Sequence, residues 1–353
     1  MQVLFFGSGA NCNCVLYATT IYPGDPYFYK WYAVASNGAG VEVAAAYRNA
    51  TAQGQGDAPN FAYSTDGGQT WSAGTITSGS STDYQYNAVA WNGSWFVACA
   101  AASQLARSQD GINWATTTVG TFVPSGNGSY STCLGVLPDN RFYGVAGSGG
   151  GTNLLISGDN GASWTSHNVL PAGVNYAGVA HNGTNVVAVG DTSSTAGYKD
   201  IANITSAWSS ATLPAVTQWQ QVIWNGTYFI ATASTNTAVR GARSLTGETW
   251  EEIPVPTQAH QGVSLKDVDN YGHLVTDDRG SLWLSIWRLD DLGTPVTTTT
   301  FFCSRDHGST WSEITYAEES MWLAIGWSGY RLYGLQNRTD GNVGIKAWYS
   351  DER

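Results

Sequence analysis

The chain has 353 residues, a formal net charge of −11 and 12% charged side chains, about half of the quarter usual for a soluble domain. Its 15 lysines and arginines are scattered, which excludes the phosphate-neutralising clusters that a nucleic-acid partner requires. The 16 tryptophans, 19 tyrosines and 42 glycines exclude a disordered chain and supply both a large core and many turns.

In chain order, the first apolar run is Val3-Leu4-Phe5-Phe6. It has no basic flank and is too short for a signal peptide or a membrane helix, so no membrane insertion is expected. From residue 28 one organisation repeats. Hairpin-type dipeptides fall at Asn37-Gly38, Asn92-Gly93, Asp139-Asn140, Asn182-Gly183 and Asn225-Gly226, with looser versions at Asp269-Asn270 and Ser328-Gly329. Such pairs supply the positive φ of a tight turn between antiparallel strands.

In step with these turns, a second pattern returns. It reads Ser64-Thr65-Asp66-Gly67-Gly68-Gln69-Thr70-Trp71, then Ser108-Gln109-Asp110-Gly111-Ile112-Asn113-Trp114. Further copies place Asp159 before Trp164 and Asp306 before Trp311, and degraded copies retain Trp208 and Trp250. The six tryptophans have a mean spacing of 48 residues. Each unit therefore reads as four strands, in the second unit 86–91, 95–101, 105–108 and 115–119, with the box turn joining the third to the fourth.

The units are assigned to 28–78, 84–119, 130–170, 175–213, 218–255, 259–316 and 319–353. The seventh breaks off after its third strand, and residues 2–6 are expected to complete it by pairing with 345–350. The fold expected is all-β and one domain. It is a seven-bladed β-propeller of four-stranded antiparallel blades, closed by the N-terminal strand so that no sheet edge stays open.

Five cysteines make an odd number. Cys12 and Cys14 are too close for an unstrained mutual disulfide, and Cys99, Cys133 and Cys303 in apolar runs are expected to be buried thiols. Asn92, Asn182 and Asn225 each begin a glycosylation sequon, but they also begin Asn-Gly turns and are read as turn chemistry.

The box resembles the Asp-box (BNR) repeat of the sialidase-like propeller superfamily, and the resemblance spans the whole chain. It implies that Asp66, Asp110, Asp159 and Asp306, with Trp71, Trp114, Trp164, Trp208, Trp250 and Trp311, maintain the fold. It also places the boxes on the face opposite a catalytic centre. The family's Arg-Ile-Pro motif is missing, and the candidate ligand-face arginines Arg48, Arg240, Arg279, Arg288 and Arg338 show no spacing that singles out three.

On the other face, the longest connections are 7–27, 48–60 and 279–300, and 337–346 is expected to join the last two in one site. Trp283 and Trp287, two tryptophans in a long polar insertion, are the expected anchors, with Arg288, Arg48 and Arg338 beside them. Six residues before the turn stand Trp31, Tyr86, Tyr176, Trp219 and Trp322, with Cys133 and Ser264 in the remaining units. Trp219 and Trp322 are candidate stacking platforms for a sugar; the alternative is packing between blades. Asp83, Asp191, Asp277, Asp278, Glu318 and Glu319 are the candidate acids, and Glu318, Glu319 and Asp83 would serve any glycosidase chemistry. No cofactor and no metal site is expected.

Low charge with abundant Gly, Ser, Thr, Asn, Trp and Tyr is similar to surface-exposed virion and adhesin proteins. The expected function is a non-catalytic binding propeller, a bacteriophage tail or other virion protein holding a host glycan or a partner surface protein. It would be virion-borne or extracellular without a secretory signal. A glycoside hydrolase acting on surface polysaccharide and an assembly or scaffold factor are the alternatives.

Overall fold

The computed structural model describes residues 16–20, 30–47, 60–79, 86–100, 104–118, 133–145, 151–191, 193–235, 238–256, 273–286, 299–316, 322–337 and 346–350. They form 28 strands and one short 3-10 helix, and no helix among them is long and apolar enough to cross a membrane. The chain is all-β.

Strand β1 is Leu16–Thr20; its sheet is completed only by the last strands of the chain. The first unit is β2 (Lys30–Ser36), β3 (Glu42–Tyr47), β4 (Phe61–Ser64) and β5 (Ser72–Ala73), paired antiparallel in that order. Then β6 (Thr75–Ser78) leaves it and pairs in parallel with the outer strand of the second unit. That unit is β7 (Tyr86–Trp91), β8 (Phe96–Ala100), β9 (Gln104–Ser108) and β10 (Asn113–Thr118). The third is β11 (Leu134–Val136), β12 (Phe142–Val145), β13 (Asn153–Ser157) and β14 (Thr165–Asn168).

A single seven-stranded sheet follows, of β15 (Asn175–His181), β16 (Asn185–Asp191), β17 (Ser193–Asp200), β18 (Ser209–Trp224), β19 (Phe229–Thr235), β20 (Ala238–Ser244) and β21 (Glu251–Ile253). The first part of β18 closes one four-stranded unit on β17, and its second part opens the next on β19. Pro214 falls in the unpaired stretch between Thr212 and Thr217, where its missing N–H costs no ladder bond. The sixth unit is β22 (Leu274–Thr276), β23 (Leu282–Ile286), β24 (Thr299–Ser304) and β25 (Ser312–Tyr316). The last is β26 (Trp322–Trp327), β27 (Leu332–Asn337) and β28 (Lys346–Ser350), with β1 alongside β28.

The first strands of successive units are neighbours. β2 lies against β7, β7 against β11, β11 against β15, β15 against β18, β18 against β22, β22 against β26, and β26 against β2. Cores therefore form between units. Trp31, Ala44 and Ala62 pack with Ala324, Tyr333 and Leu335, and Tyr86, Phe96 and Trp114 pack with Val43, Ala45 and Phe61.

Three expectations need correction. The strand on β28 is Leu16–Thr20, in register Leu16 to Ser350; residues 2–6 lie outside the described residues. Both runs have strand character, but the later one needs only residues 21–29 to reach β2, so a much shorter loop must be closed. In the sixth unit the first turn is Asp277–Ser281, not Asp269-Asn270, and 269–270 lie outside the described residues. Asp277 N–H donates to the Ser281 carbonyl, and the Asp277 carboxylate accepts the N–H groups of Arg279 and Ser281. Finally, Cys303 is disulfide-bonded, whereas Cys99 is a buried free thiol; an apolar run specifies burial, not redox state.

Candidate functional site

The recurrent box turn is a complete hydrogen-bonding unit. In the first copy, Asp66 Oδ1 accepts from Ser64 Oγ, Gln69 N and Thr70 N at 2.8–3.0 Å, and Oδ2 accepts from Thr70 Oγ1. Ser64 Oγ in turn accepts from Gly68 N at 2.8 Å. The second copy repeats this with Ser108, Asp110 and Asn113, the third with Ser157, Asp159 and Ser163, and the sixth unit with Ser304, Asp306 and Thr310. Partial burial pushes Asp110 upward, but the N–H and amide donors of Asn113 and Ile112 outweigh it and hold the carboxyl at about 2. Asp66, Asp159 and Asp306 are lowered against burial in the same way, chiefly by Thr70, Ser163 and Thr310. Such carboxylates are ionised acceptors whose lone pairs the turn already uses.

The degraded copies keep the tryptophan and change the turn. Asp200 caps the helix Ile201–Asn203 by accepting from Ala202 N, and Trp208 Nε1 donates to the Ile204 carbonyl at 2.8 Å. In the fifth unit Thr246 stands where Asp would, yet Ser244 still accepts from Gly247 N and Trp250 Nε1 donates to the Gly247 carbonyl.

One glycine position explains why the boxes are tight. Gly68, Gly111, Gly161, Gly247 and Gly308 have positive φ, and an added Cβ would come within 2.4–2.8 Å of Tyr333, Val43, Val97, Val187 and Ile253 respectively. Each of those side chains belongs to the preceding unit. Two units add a polar clasp. Asn92 Nδ2 donates to the Asn140 carbonyl and to Asn160 Oδ1, while Arg107 reaches the Asn160 carbonyl. Asn225, Arg243, Gly280 and His307 repeat that arrangement between the fifth and sixth units. Asn92 and Asn225 are buried, so the sequon side chains at these two turns are structural.

The aromatic row on the first strands is buried. Trp31, Tyr86, Tyr176 and Trp219 are at most 1% exposed, each packed on the preceding unit. A register shift follows each of the four, releasing Tyr32, Asn87, Ala177 and Gln220 from the ladder. Bulges re-aim side chains near sheet ends, and these four lie where the first strand of each unit begins to pair with the second. The repeated bulge was not legible from apolar patterning; the small residues Ala33, Ala88 and Gly178 after three of the four aromatics were its only trace.

Several expected site residues take other places. Trp219 is fully buried between the fourth and fifth units, so it is no stacking platform. Trp283 lies on β23 at 1% exposure, its Nε1 donating to Asp277 Oδ2; shifting the sixth turn moved this residue from the loop into the core. Asp277, Asp278 and Arg279 belong to the turn on the box face. Arg240 is paired with Glu252 at 2.8 Å. Trp322 starts β26, and its side chain lies outside the described residues, as do Asp83, Glu318, Glu319, Arg48, Trp287, Arg288 and Arg338. Among the described residues no group of three or more His, Cys, Asp or Glu is placed to hold a metal.

One residue was missed altogether. At the first pair of the ladder after each turn, six units present Phe96, Phe142, Val186, Phe229, Leu282 and Leu332, all buried. The first unit presents Glu42 opposite Ser36, with 0% exposure. Ser36 Oγ donates to Oε1 at 3.3 Å, and Oε2 accepts no hydrogen bond. Burial, reinforced by Asp66 and softened by Ser36 and Gly67, pushes this carboxyl up to about 7. Aligning the seven turns by ladder register, instead of by motif, would have exposed it.

No family model matches the chain, and no curated protein matches it. Solved structures do. YCF48 bound to a D1 peptide is 16% identical, with 96% of this chain and 95% of that one covered at a TM-score of 0.60. YCF48 from Cyanidioschyzon merolae is 12% identical over 94% and 98%, with a TM-score of 0.59. Kuenenia stuttgartiensis hydrazine synthase is 13% identical over 90% and 95%, with a TM-score of 0.58. These likenesses establish the β-propeller fold.

Proposed function

We propose that the chain is a seven-bladed propeller of the Asp-box type, closed by β1 on β28, which binds a partner without transforming it. The cycle of neighbouring first strands and the glycine contacts that run from five of the units to the one before support the ring. Box chemistry supports the Asp-box assignment, because Ser, Asp and Gly exchange the same bonds in four copies.

The observation that carries the binding reading is the likeness, along nearly the whole chain, to a propeller bound to a peptide. With the box carboxylates and the first-strand aromatics committed to the fold, recognition falls to the connections of the second face. Loops 48–60, 287–298 and 338–345 belong to units six, seven and one, whose first strands are neighbours. Trp287, Arg288, Arg48 and Arg338 are the proposed contacts on these loops. The partner is a surface protein segment or a glycan, in a virion-associated setting suggested by composition alone.

The test is binding of the full chain to peptide and glycan arrays, with a parallel assay for release of sugar from glycosides. Binding that Trp287→Ala weakens at least tenfold, with an unchanged melting temperature, is the expected result. Turnover lost on changing Glu318 or Glu319 would replace this reading with a glycosidase.

A further inference from the structure

Glu42 is the one place in this register where a unit buries an acid while its six counterparts bury an apolar side chain. Its surroundings come from two units. From its own come Ser36 at the end of β2, and Ser64 and Asp66 in the box turn. Across the boundary lie Tyr330 and Arg331 in the turn between β26 and β27, and Tyr333 on β27. The Arg331 guanidinium stacks on the Tyr330 ring, 5.4 Å from its centroid. The boundary is close-packed: Trp71 meets Tyr333 at 5.8 Å, and the Tyr330 hydroxyl lies against Gly67.

We infer that Glu42 is a proton-operated latch on the boundary between the first unit and the last, shut when the carboxyl is neutral and strained when it is ionised. A neutral acid fits this slot, because only one of its oxygens has a partner and water is excluded. An ionised Glu42 puts a second, fully buried carboxylate beside the half-exposed Asp66, with Oε2 unsatisfied. Strain falls on the contacts that hold the last sheet to the first, and these are the same contacts that Gly67, Gly68 and Tyr333 make. The other boundaries carry Phe, Val or Leu at this position and have no such group to titrate. The inference needs only the contact between these two sheets, and it stands whether or not the second face binds a partner.

Hydrogen exchange, corrected for intrinsic rate, tests it on the full chain at pH 6 and pH 8.5. Wild type should lose protection in 30–47 and 322–337 at the higher pH, with a lower melting temperature, while the second and third units stay unchanged. Glu42→Gln should abolish the difference. Glu42→Leu, which copies units six and seven, should abolish it too and keeps the test open if the glutamine variant folds poorly. A wild type whose protection is the same at both pH values, or variants that retain its pH dependence, would overturn the latch.

Discussion

At the scale of single residues, the box tryptophans are not equivalent, although the motif repeats them. Trp114 is fully buried and its Nε1 donates to the Gly111 carbonyl at 3.0 Å. Trp164 is also buried, but its Nε1 has no partner. Trp164→Phe should therefore cost less than Trp114→Phe, by about 1 kcal/mol, the net worth of one buried hydrogen bond. Either change to alanine should cost about 3–5 kcal/mol, and urea titrations of the four variants would separate packing from bonding. His273 gives a pH signature of its own. It is half-buried, with Nδ1 at 2.7 Å from the Ile325 carbonyl, and desolvation lowers it from 6.5 to about 4. The neutral form is the folded one, so its contribution is whole above pH 6.5 and fades as pH falls toward 4, by about 3 kcal/mol in all. His273→Asn, which keeps a donor but cannot be charged, should be less acid-sensitive than wild type in that window. Equal acid slopes would mean that the imidazole is not desolvated.

Among the elements, the box turn decides how units meet. Gly161 has φ +78 and a Cβ there would sit 2.8 Å from Val97 of the preceding unit. Gly93 has φ +93 with open space around its Cβ position. Gly161→Ala should lose about 1–3 kcal/mol through overpacking in addition to backbone strain, and Gly93→Ala only about 1 kcal/mol. Similar losses for both, in chemical denaturation, would remove the box glycine from the inter-unit contact. The second unit was legible almost strand for strand, because Asn92-Gly93 and Asp110 before Trp114 bracket short apolar runs. The sixth was not. Its turn is organised by the Asp277 side chain and reaches glycine only at Gly280, whereas Asp269-Asn270 offered a better dipeptide match. Gly74 marks a further feature outside the repeat: β5 ends before it, and β6 after it crosses to the neighbouring sheet. Glu42 escaped because a motif search reads what recurs, and its significance lies in where recurrence fails.

For the whole molecule, the repeat made the architecture readable but not its last pairing: residues 2–6 were the expected partner of the final strand, and Leu16–Thr20, inside the expected connection 7–27, is the strand found there. Removing residues 1–15 tests the choice directly. That truncation should leave the melting temperature within a few degrees, whereas removing 1–20 deletes β1, bares the edge of β28 and should cause aggregation. Equal behaviour of the two truncations would return the closing strand to residues 2–6. The functional face was the least legible part. Its loops carry no periodic constraint, and the tryptophan that looked most like an anchor, Trp283, proved to be a strand residue once the turn before it was placed.

The pairing of β1 with β28 also sets a clock on biosynthesis. Leu16 leaves the ribosome more than three hundred residues before its partner Ser350. At ordinary elongation speeds that interval is roughly 20–70 s. Throughout it, the strand has no ladder to join, because the edge of β28 that it covers has not yet been made. Unpaired β1 is thus exposed to premature edge-to-edge association for that interval, and its pairing with β28 is gated by translation instead of by any barrier within the sheets.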